Sequence, residues 1–185
     1  MRKFIVRVIV FLLIVYMIAY GSSTILKDVI FPYKYKDYVD KYSEVYNVDP
    51  LMVLSVMKAE SNFDPSAKSK KDAMGLMQIT KSTGTWIAEQ QGIIDFNTDL
   101  LLDPEVNIRF GSWYLNNLYN QFEDWDLVIA AYNAGRGNVD KWLNDPEHSK
   151  DGKVLHYIPF NETDKYLKKV KTYYNIYSRF YKNNK

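Results

Sequence analysis

The chain has 185 residues, of which 47% are hydrophobic and 25% are charged, so it can form one globular domain of ordinary size plus an appendage. Its formal net charge of +2 is too small to indicate nucleic acid as a partner. It contains no cysteine, which excludes disulfides, thiolate metal sites, a thiol nucleophile and lipidation of a cysteine.

The first predicted element is an apolar helix. Arg2 and Lys3 precede it, and residues 4–20 are apolar apart from Arg7. As a helix this stretch is about 25 Å long, slightly shorter than a hydrocarbon core of roughly 30 Å. No persuasive small-residue cleavage site follows it, so an uncleaved anchor is favoured over a signal peptide. We therefore predict a transmembrane helix within residues 1–22, with its basic end in the cytoplasm.

Residues 23–34 are predicted to be a connector, and residues 35–185 to form one domain. Apolar residues recur every three or four positions over residues 35–45, which is typical of an amphipathic helix. The chain has neither an internal repeat nor a convincing alternating strand pattern. We therefore predict that the domain is all-α.

The second helix of this domain carries a carboxyl group in an unusual position. Asp49 can cap its start and Pro50 suits its first turn, and an apolar stretch then leads to Glu60 at its end. On a helical wheel Glu60 shares the face of Val53 and Val56. Burial and the negative end of the helix dipole both favour a protonated carboxyl, which is the form that a general acid needs. A glutamate that reaches solvent from a frayed helix end fits the same pattern.

Further helices are predicted from helix starts, apolar spacing and glycine stops, in this order: residues 82–91, a helix that starts at Asp103 and Pro104, residues 127–134 before Gly135, and a last helix with aromatic residues between positions 166 and 180. Residues 75–79 are expected to turn into a short helix, and residues 136–152 to form a loop. The lysines of the last helix indicate a solvated face or an attraction to an anionic envelope polymer.

Four short motifs stand out: Glu60-Ser61 with Phe63, Gly75-Leu76-Met77-Gln78, Ala131-Tyr132-Asn133-Ala134-Gly135, and Ile158-Pro159-Phe160 with Glu162, Thr163 and Tyr166. Each motif alone is a weak signal, since glycine and asparagine often mark ordinary helix ends. In this order and spacing they resemble the catalytic domain of soluble-type lytic transglycosylases, which is similar to goose-type lysozyme. The resemblance covers about residues 35–180.

The resemblance implies a lysozyme-like helical domain with a groove for the glycan strands of peptidoglycan. It implies that Glu60 is the single catalytic acid and base, and that Ser61 helps to orient the substrate or the acid. The other substrate-binding residues that it implies are Met77, Gln78, Tyr132, Asn133, Glu162 and Tyr166. No cofactor and no metal are expected, and the two histidines, His148 and His156, form no ligand pattern.

The resemblance also implies a reaction without water. Glu60 would protonate the bond between N-acetylmuramic acid and N-acetylglucosamine, then take the proton of the C6 hydroxyl as a 1,6-anhydro ring closes. With the predicted anchor, this gives an enzyme of cell-wall remodelling held at the bacterial cell membrane, with its catalytic domain on the extracytoplasmic side. Most glycosidases use two carboxyl groups. A hydrolytic muramidase with Asp64 or Asp72 as the second carboxylate, and a non-catalytic peptidoglycan-binding protein, both remain alternatives.

Overall fold

The computed structural model of the chain describes Ile9, residues 11–12 and 15–17, Gly21, and residues 24–182. The chain divides into two compact units, Met1–Tyr33 and Lys34–Lys185. In the first unit a π-helical segment, Leu26–Ile30, lies within the predicted connector. Among the described residues, no helix is both long enough and apolar enough to cross a membrane. The predicted transmembrane helix falls largely outside the described residues.

The second unit is mostly helical, as predicted. Its helices are α1 Lys36–Tyr46, α2 Pro50–Glu60, α3 Lys81–Gln90, α4 Pro104–Phe122, α5 Trp125–Ala134, α6 Arg136–Leu143 and α7 Asn161–Tyr181. A 3₁₀ turn, Thr98–Leu102, precedes α4.

Three helices start at an aspartate cap. Asp49 accepts a hydrogen bond of 2.9 Å from the backbone N–H two residues later, at the start of α2. Asp103 accepts one of 3.0 Å from the N–H three residues later in α4, and Asp124 does the same at 3.0 Å in α5. Each cap satisfies an N–H group that has no partner inside the helix. The two predicted Asp-Pro helix starts are therefore confirmed.

The core of the second unit surrounds α2. All residues from 51 to 57 are buried, and α7 packs along α2 more extensively than any other helix does. α1 packs on α4, while α5 packs on α4, α6 and α7. Ser55 is polar, yet it is buried and donates a hydrogen bond of 2.6 Å to the carbonyl of Leu51. A helix surrounded by others needs no polar face, provided that its hydroxyls bond to its own backbone.

A small antiparallel hairpin stands where the sequence predicts a short helix. Strand β1, Ala73–Met74, pairs with strand β2, Ile79–Thr80. The paired residues are Ala73 with Thr80 and Met74 with Ile79. Between the strands, Gly75 has a φ of +75° and Gln78 a φ of +49°. Left-handed residues at both ends of the turn are incompatible with a continuous right-handed helix, so the prediction of a helix here is wrong.

The predicted loop over residues 136–152 is wrong in its first half, because α6 occupies residues 136–143. Gly135, with a φ of +86°, ends α5 and at the same time begins α6. Val139 and Trp142 are buried at a spacing of three residues, which gives α6 an apolar face. The glycine stop was read as the end of helical structure, but here it makes a corner between two helices.

Candidate active site

Glu60 is the last residue of α2, and a residue of α7 holds its carboxyl group. The hydroxyl of Tyr166 donates a hydrogen bond of 2.6 Å to Oε1 of Glu60. Tyr166 is only 8% exposed, and Glu60 is partly buried. The packing of α7 along α2 therefore brings the predicted catalytic acid into direct contact with a predicted site residue.

Burial raises the pKa of the Glu60 carboxyl to about 7, from an ordinary value of 4.5. The hydrogen bond from Tyr166 and the positive charge of Lys169 act against this rise, and the negative charge of Glu162 adds to it. A carboxyl group with this pKa can be both protonated and ionised near neutral pH. It therefore suits a residue that first donates and then accepts a proton.

Lys169 belongs to the site although it was not predicted as a site residue. It lies in α7 and donates a hydrogen bond of 2.7 Å from Nζ to the carbonyl of Ala59, in the last turn of α2. A cation at a helix C-terminus offsets the partial negative charge there. The helix dipole was expected to raise the pKa of Glu60, but Lys169 lowers that pKa, so burial is the dominant cause. The spacing of the lysines gave no signal that one of them reaches α2.

Tyr132 lies at the end of α5 and contacts the hairpin. Its hydroxyl donates a hydrogen bond of 2.8 Å to the carbonyl of Met77, and its ring centroid is 5.4 Å from that of Tyr114 in α4. Burial and the negative charge of Glu60 raise the pKa of both Tyr132 and Tyr166. Both hydroxyls therefore stay protonated at neutral pH and act as hydrogen-bond donors.

Ser61 and Gln78 bond to backbone groups around the hairpin. Ser61 donates from its hydroxyl to the carbonyl of Leu76 at 2.8 Å, so it joins the end of α2 to the turn. The amide nitrogen of Gln78 donates to the carbonyls of Gly75 at 2.9 Å and Ala67 at 3.1 Å. These bonds fix the turn beside Glu60.

Met77 was expected to line the groove, but it has no exposed surface. It packs so closely on Gly111 of α4 that a Cβ atom at that glycine would lie 2.1 Å from Sδ of Met77. Its side chain therefore presents no surface to the groove in this structure. Met77 serves the site through its main chain, which receives the hydrogen bond from Tyr132.

The last two predicted residues lie where α5 ends and α7 begins. Asn133 accepts a hydrogen bond of 2.8 Å at Oδ1 from the hydroxyl of Thr163, which ties the two helices together. Glu162 is exposed in the first turn of α7, and its charge reaches Glu60. The structure thus brings residues from all four motifs to the neighbourhood of Glu60.

Asn107 of α4 supports the site through hydrogen bonds to the hairpin. It is fully buried, accepts a hydrogen bond of 2.7 Å from the N–H of Met77, and donates to the carbonyls of Met74 at 2.9 Å and Leu101 at 2.7 Å. It was not predicted as a site residue. The available signal is an asparagine that interrupts an apolar helix face, because a buried amide needs several partners.

The carboxylates proposed for a hydrolytic mechanism, Asp64 and Asp72, are both exposed. Asp64 is exposed and accepts hydrogen bonds from the N–H of Ser66 at 2.9 Å and from its hydroxyl at 2.7 Å. Asp72 is exposed on the loop before β1, with a φ of +59°. The acidic residue whose charge acts on Glu60 is Glu162. Glu162 is therefore a further candidate for a second carboxylate, beside Asp64 and Asp72.

Named proteins with similar sequences are lytic transglycosylases. The soluble lytic murein transglycosylase of Salmonella typhimurium is 35% identical over 153 residues, which are 81% of this chain and 24% of that protein. The membrane-bound lytic murein transglycosylase C of Cronobacter sakazakii is 34% identical over 169 residues, with 80% of this chain and 47% of that protein covered. The chain thus spans about a quarter of the length of the soluble relatives that it matches.

Solved structures agree with this similarity. An inactive mutant of lytic transglycosylase Slt from Pseudomonas aeruginosa superposes with a TM-score of 0.72 at 32% identity, covering 82% of this chain and 25% of that one. The 70 kDa soluble lytic transglycosylase of Escherichia coli gives 0.71 at 33% identity, with 81% and 25% covered. The family model described as the Transglycosylase SLT domain matches residues 37–155. The chain therefore belongs to the Transglycosylase SLT domain family.

Proposed function

We propose that the chain is a membrane-anchored lytic transglycosylase that cleaves the glycan strands of peptidoglycan during cell-wall remodelling. The observation that carries this proposal is the partly buried carboxyl group of Glu60, which has a pKa of about 7 and is hydrogen-bonded to Tyr166. Membership of the SLT family supports the choice of glycan as substrate.

In the first step, protonated Glu60 donates its proton to the oxygen between N-acetylmuramic acid and N-acetylglucosamine. The bond from the anomeric carbon to this oxygen breaks, and the N-acetylglucosamine part leaves with the new hydroxyl. The acetamide group of the muramoyl sugar stabilises the positive charge at the anomeric carbon. The burial that raises the pKa of Glu60 keeps the proton available for this step.

In the second step, ionised Glu60 takes the proton of the C6 hydroxyl of the same muramoyl sugar. The C6 oxygen then bonds to the anomeric carbon and closes a 1,6-anhydro ring, so no water is consumed. The Tyr166 hydroxyl and Lys169 stabilise the ionised form that this step requires. Glu60 ends the cycle protonated again.

The remaining predicted residues hold either the sugar or the hairpin next to Glu60. We assign substrate contacts to Gln78, Tyr132, Asn133 and Glu162, while Ser61 and the main chain of Met77 fix the hairpin. Tyrosine rings suit the apolar faces of sugar rings. These roles follow from the position of each residue around Glu60 and from the resemblance in their motifs.

We also propose that residues 4–20 anchor the catalytic domain to the extracytoplasmic side of the cell membrane. The apolar run behind two basic residues supports this, as does the similarity to a protein named a membrane-bound lytic murein transglycosylase. Sequencing the N-terminus of the mature protein from membrane fractions tests it. A mature chain that begins near Ser22 would contradict the anchor.

The decisive experiment is mass analysis of the products from purified glycan strands. A lytic reaction gives ends that weigh one water less than hydrolytic ends and that borohydride does not reduce. Mainly reducible ends would show a muramidase, with Glu162 as a candidate second carboxylate, and no cleavage at all would show a binding protein. General acid–base catalysis contributes about 10²–10⁴-fold to a rate. Glu60→Gln should reduce the rate by an amount near the top of this range or larger, because Glu60 serves both steps. The exposed Glu44→Gln in α1 is the matched control.

A further inference from the structure

A pocket of about 360 Å³ lies beside the candidate active site. Its lining residues are Ser82, Thr83, Trp86, Tyr114 and Arg136. This volume lies within the range of small-ligand sites. The pocket adjoins the site because the ring of Tyr114 is 5.4 Å from that of Tyr132, and because Arg136 opens α6 directly after the end of α5 that carries Tyr132. The mechanism proposed above uses neither Trp86 nor Arg136.

Arg136 places a fixed positive charge in this pocket. Its guanidinium lies 4.5 Å from the ring centroid of Trp86 and 6.0 Å from that of Tyr114, and its Nη2 donates a hydrogen bond of 2.9 Å to Asn117. A guanidinium has five N–H donors, so its bonds to Asn117 and to the Tyr114 hydroxyl leave others for the pocket. In the described part of the chain, no carboxylate forms an ion pair with Arg136.

The lining predicts the chemistry of the ligand. The indole and phenol rings offer flat apolar surfaces, and the hydroxyls of Ser82 and Thr83 offer small polar groups, a combination that suits a sugar. A guanidinium held on an aromatic ring is a preferred partner for a carboxylate, which it can bind through two parallel hydrogen bonds. The pocket therefore combines features for a sugar with a feature for an acidic substituent.

We propose that Trp86 and Arg136 form a subsite for a carboxylate-bearing sugar of the glycan strand, away from the bond on which Glu60 acts. This inference rests on the proposed function insofar as the ligand is a glycan. The subsite makes the protein prefer anionic glycans to neutral ones of equal length. The carboxylate has two possible sources, the lactyl group of a muramoyl sugar without peptide and the peptide stem of one that carries it.

The test measures binding without turnover. The full chain with Glu60→Gln is titrated calorimetrically with three oligosaccharides of equal length: glycan without peptide, glycan with peptide stems, and an N-acetylglucosamine oligomer that has no carboxylate. Arg136→Gln is then added to the same chain. We expect it to weaken binding of a carboxylate-bearing oligomer about ten- to hundredfold and to change binding of the neutral one by less than about threefold.

The two carboxylate-bearing oligosaccharides, with and without peptide stems, identify the source of the carboxylate. If Arg136→Gln weakens the binding of peptide-free glycan, the carboxylate belongs to the lactyl group. If it weakens only the binding of glycan with peptide stems, the carboxylate belongs to the peptide. Arg136→Lys should restore binding only in part, since an ammonium group cannot make the paired hydrogen bonds. Arg179→Gln, on the exposed last turn of α7, is the control with the same change of charge.

Equal losses for neutral and anionic oligomers would overturn the proposal, as would an unchanged affinity for all three. A chain with an intact Arg136 that shows no preference for the carboxylate-bearing oligomers would also overturn it, whether or not the variants fold. The products of cleavage do not enter this measurement. A hydrolytic outcome in the product analysis would therefore reject the lytic mechanism and leave the subsite to be decided by binding alone.

Discussion

The hydroxyl of Tyr166 lies 2.6 Å from Oε1 of Glu60, although the two residues are 106 positions apart in the chain. This hydrogen bond favours the ionised carboxylate, whereas burial favours the protonated form. The two effects oppose each other and leave the pKa at about 7. Because α2 and α7 hold both groups, the packing of two helices sets the acidity of the candidate catalytic residue.

Tyr166→Phe should raise the pKa of Glu60, because it removes a hydrogen bond that stabilises the anion. The first step needs protonated Glu60, so kcat/KM should fall as pH rises through this pKa. We expect the midpoint of that fall to move to higher pH by about one pH unit in the variant. A pH profile of kcat/KM on purified glycan measures it.

Tyr174→Phe is the matched control for this profile. Tyr174 is in the same helix, α7, and donates a hydrogen bond of 2.7 Å to Asp49 at the opposite end of α2. Loss of the Tyr174 hydroxyl should leave the midpoint of the fall in kcat/KM with rising pH unchanged. If this midpoint did not shift in a folded Tyr166→Phe variant, the hydrogen bond would not control the acidity of Glu60.

Lys169 and Glu162 should shift the pKa of Glu60 in opposite directions. Lys169→Met removes a positive charge and should raise this pKa, while Glu162→Gln removes a negative charge and should lower it. NMR titration of the Glu60 carboxyl carbon in the free protein measures both shifts without substrate. Lys168→Met, at a lysine paired with Asp164, is the control for a loss of positive charge. Shifts of the same sign for both variants would contradict this electrostatic account.

Glu60→Gln should stabilise the protein at alkaline pH. Between the ordinary pKa of 4.5 and the folded-state pKa of about 7, the folded protein binds more protons at this group than the unfolded chain does. The contribution of Glu60 to the free energy of unfolding therefore falls as pH rises, by up to about 3 kcal/mol. In urea unfolding, the variant should have the same free energy of unfolding as the wild type at about pH 4. At about pH 8 its free energy of unfolding should be higher, by up to about 3 kcal/mol. A stability difference that is independent of pH would contradict the raised pKa.

Asn107→Ala should destabilise the domain strongly and reduce activity. It leaves the N–H of Met77 and two buried carbonyls without their partner, at a cost of about 2–4 kcal/mol, and it releases the hairpin beside Glu60. Denaturant unfolding and glycan cleavage measure the two effects. Asn120→Ala is the control, because that exposed amide bonds only to Asn116 of the same helix among the side-chain bonds described. Equal costs for both variants would contradict the role of Asn107.

Gly111→Ala should be destabilising, because the added methyl group overlaps Sδ of the buried Met77. Overpacking of this kind costs about 1–3 kcal/mol. Gly137→Ala, in α6, meets no atom within 4 Å and should stabilise the protein by up to about 1 kcal/mol through helix propensity. Thermal unfolding of both variants tests this contrast. A neutral Gly111→Ala would show that Met77 can move without loss.

Local signals predicted much of the domain. Asp49 and Asp103 act as caps because an aspartate followed by proline suits a helix start whatever lies around it. Glu60 was predicted for a similar reason, since its position at the end of an apolar helix can be recognised from the sequence alone. The hairpin was missed because its left-handed residues depend on a buried partner, Asn107, from a helix 30 residues later. No local pattern specifies such a long-range partner.

The sequence by itself determined that the domain is helical, where most helices begin and end, and which carboxyl group is the candidate acid. These features depend on contacts within a few residues along the chain. Only the tertiary structure decided that burial outweighs Lys169 in setting the pKa of Glu60, that Met77 is buried, and that Arg136 stacks on Trp86. Acidity, access and pocket shape depend on residues brought together from distant parts of the chain, and the packing of the helices fixes those distances.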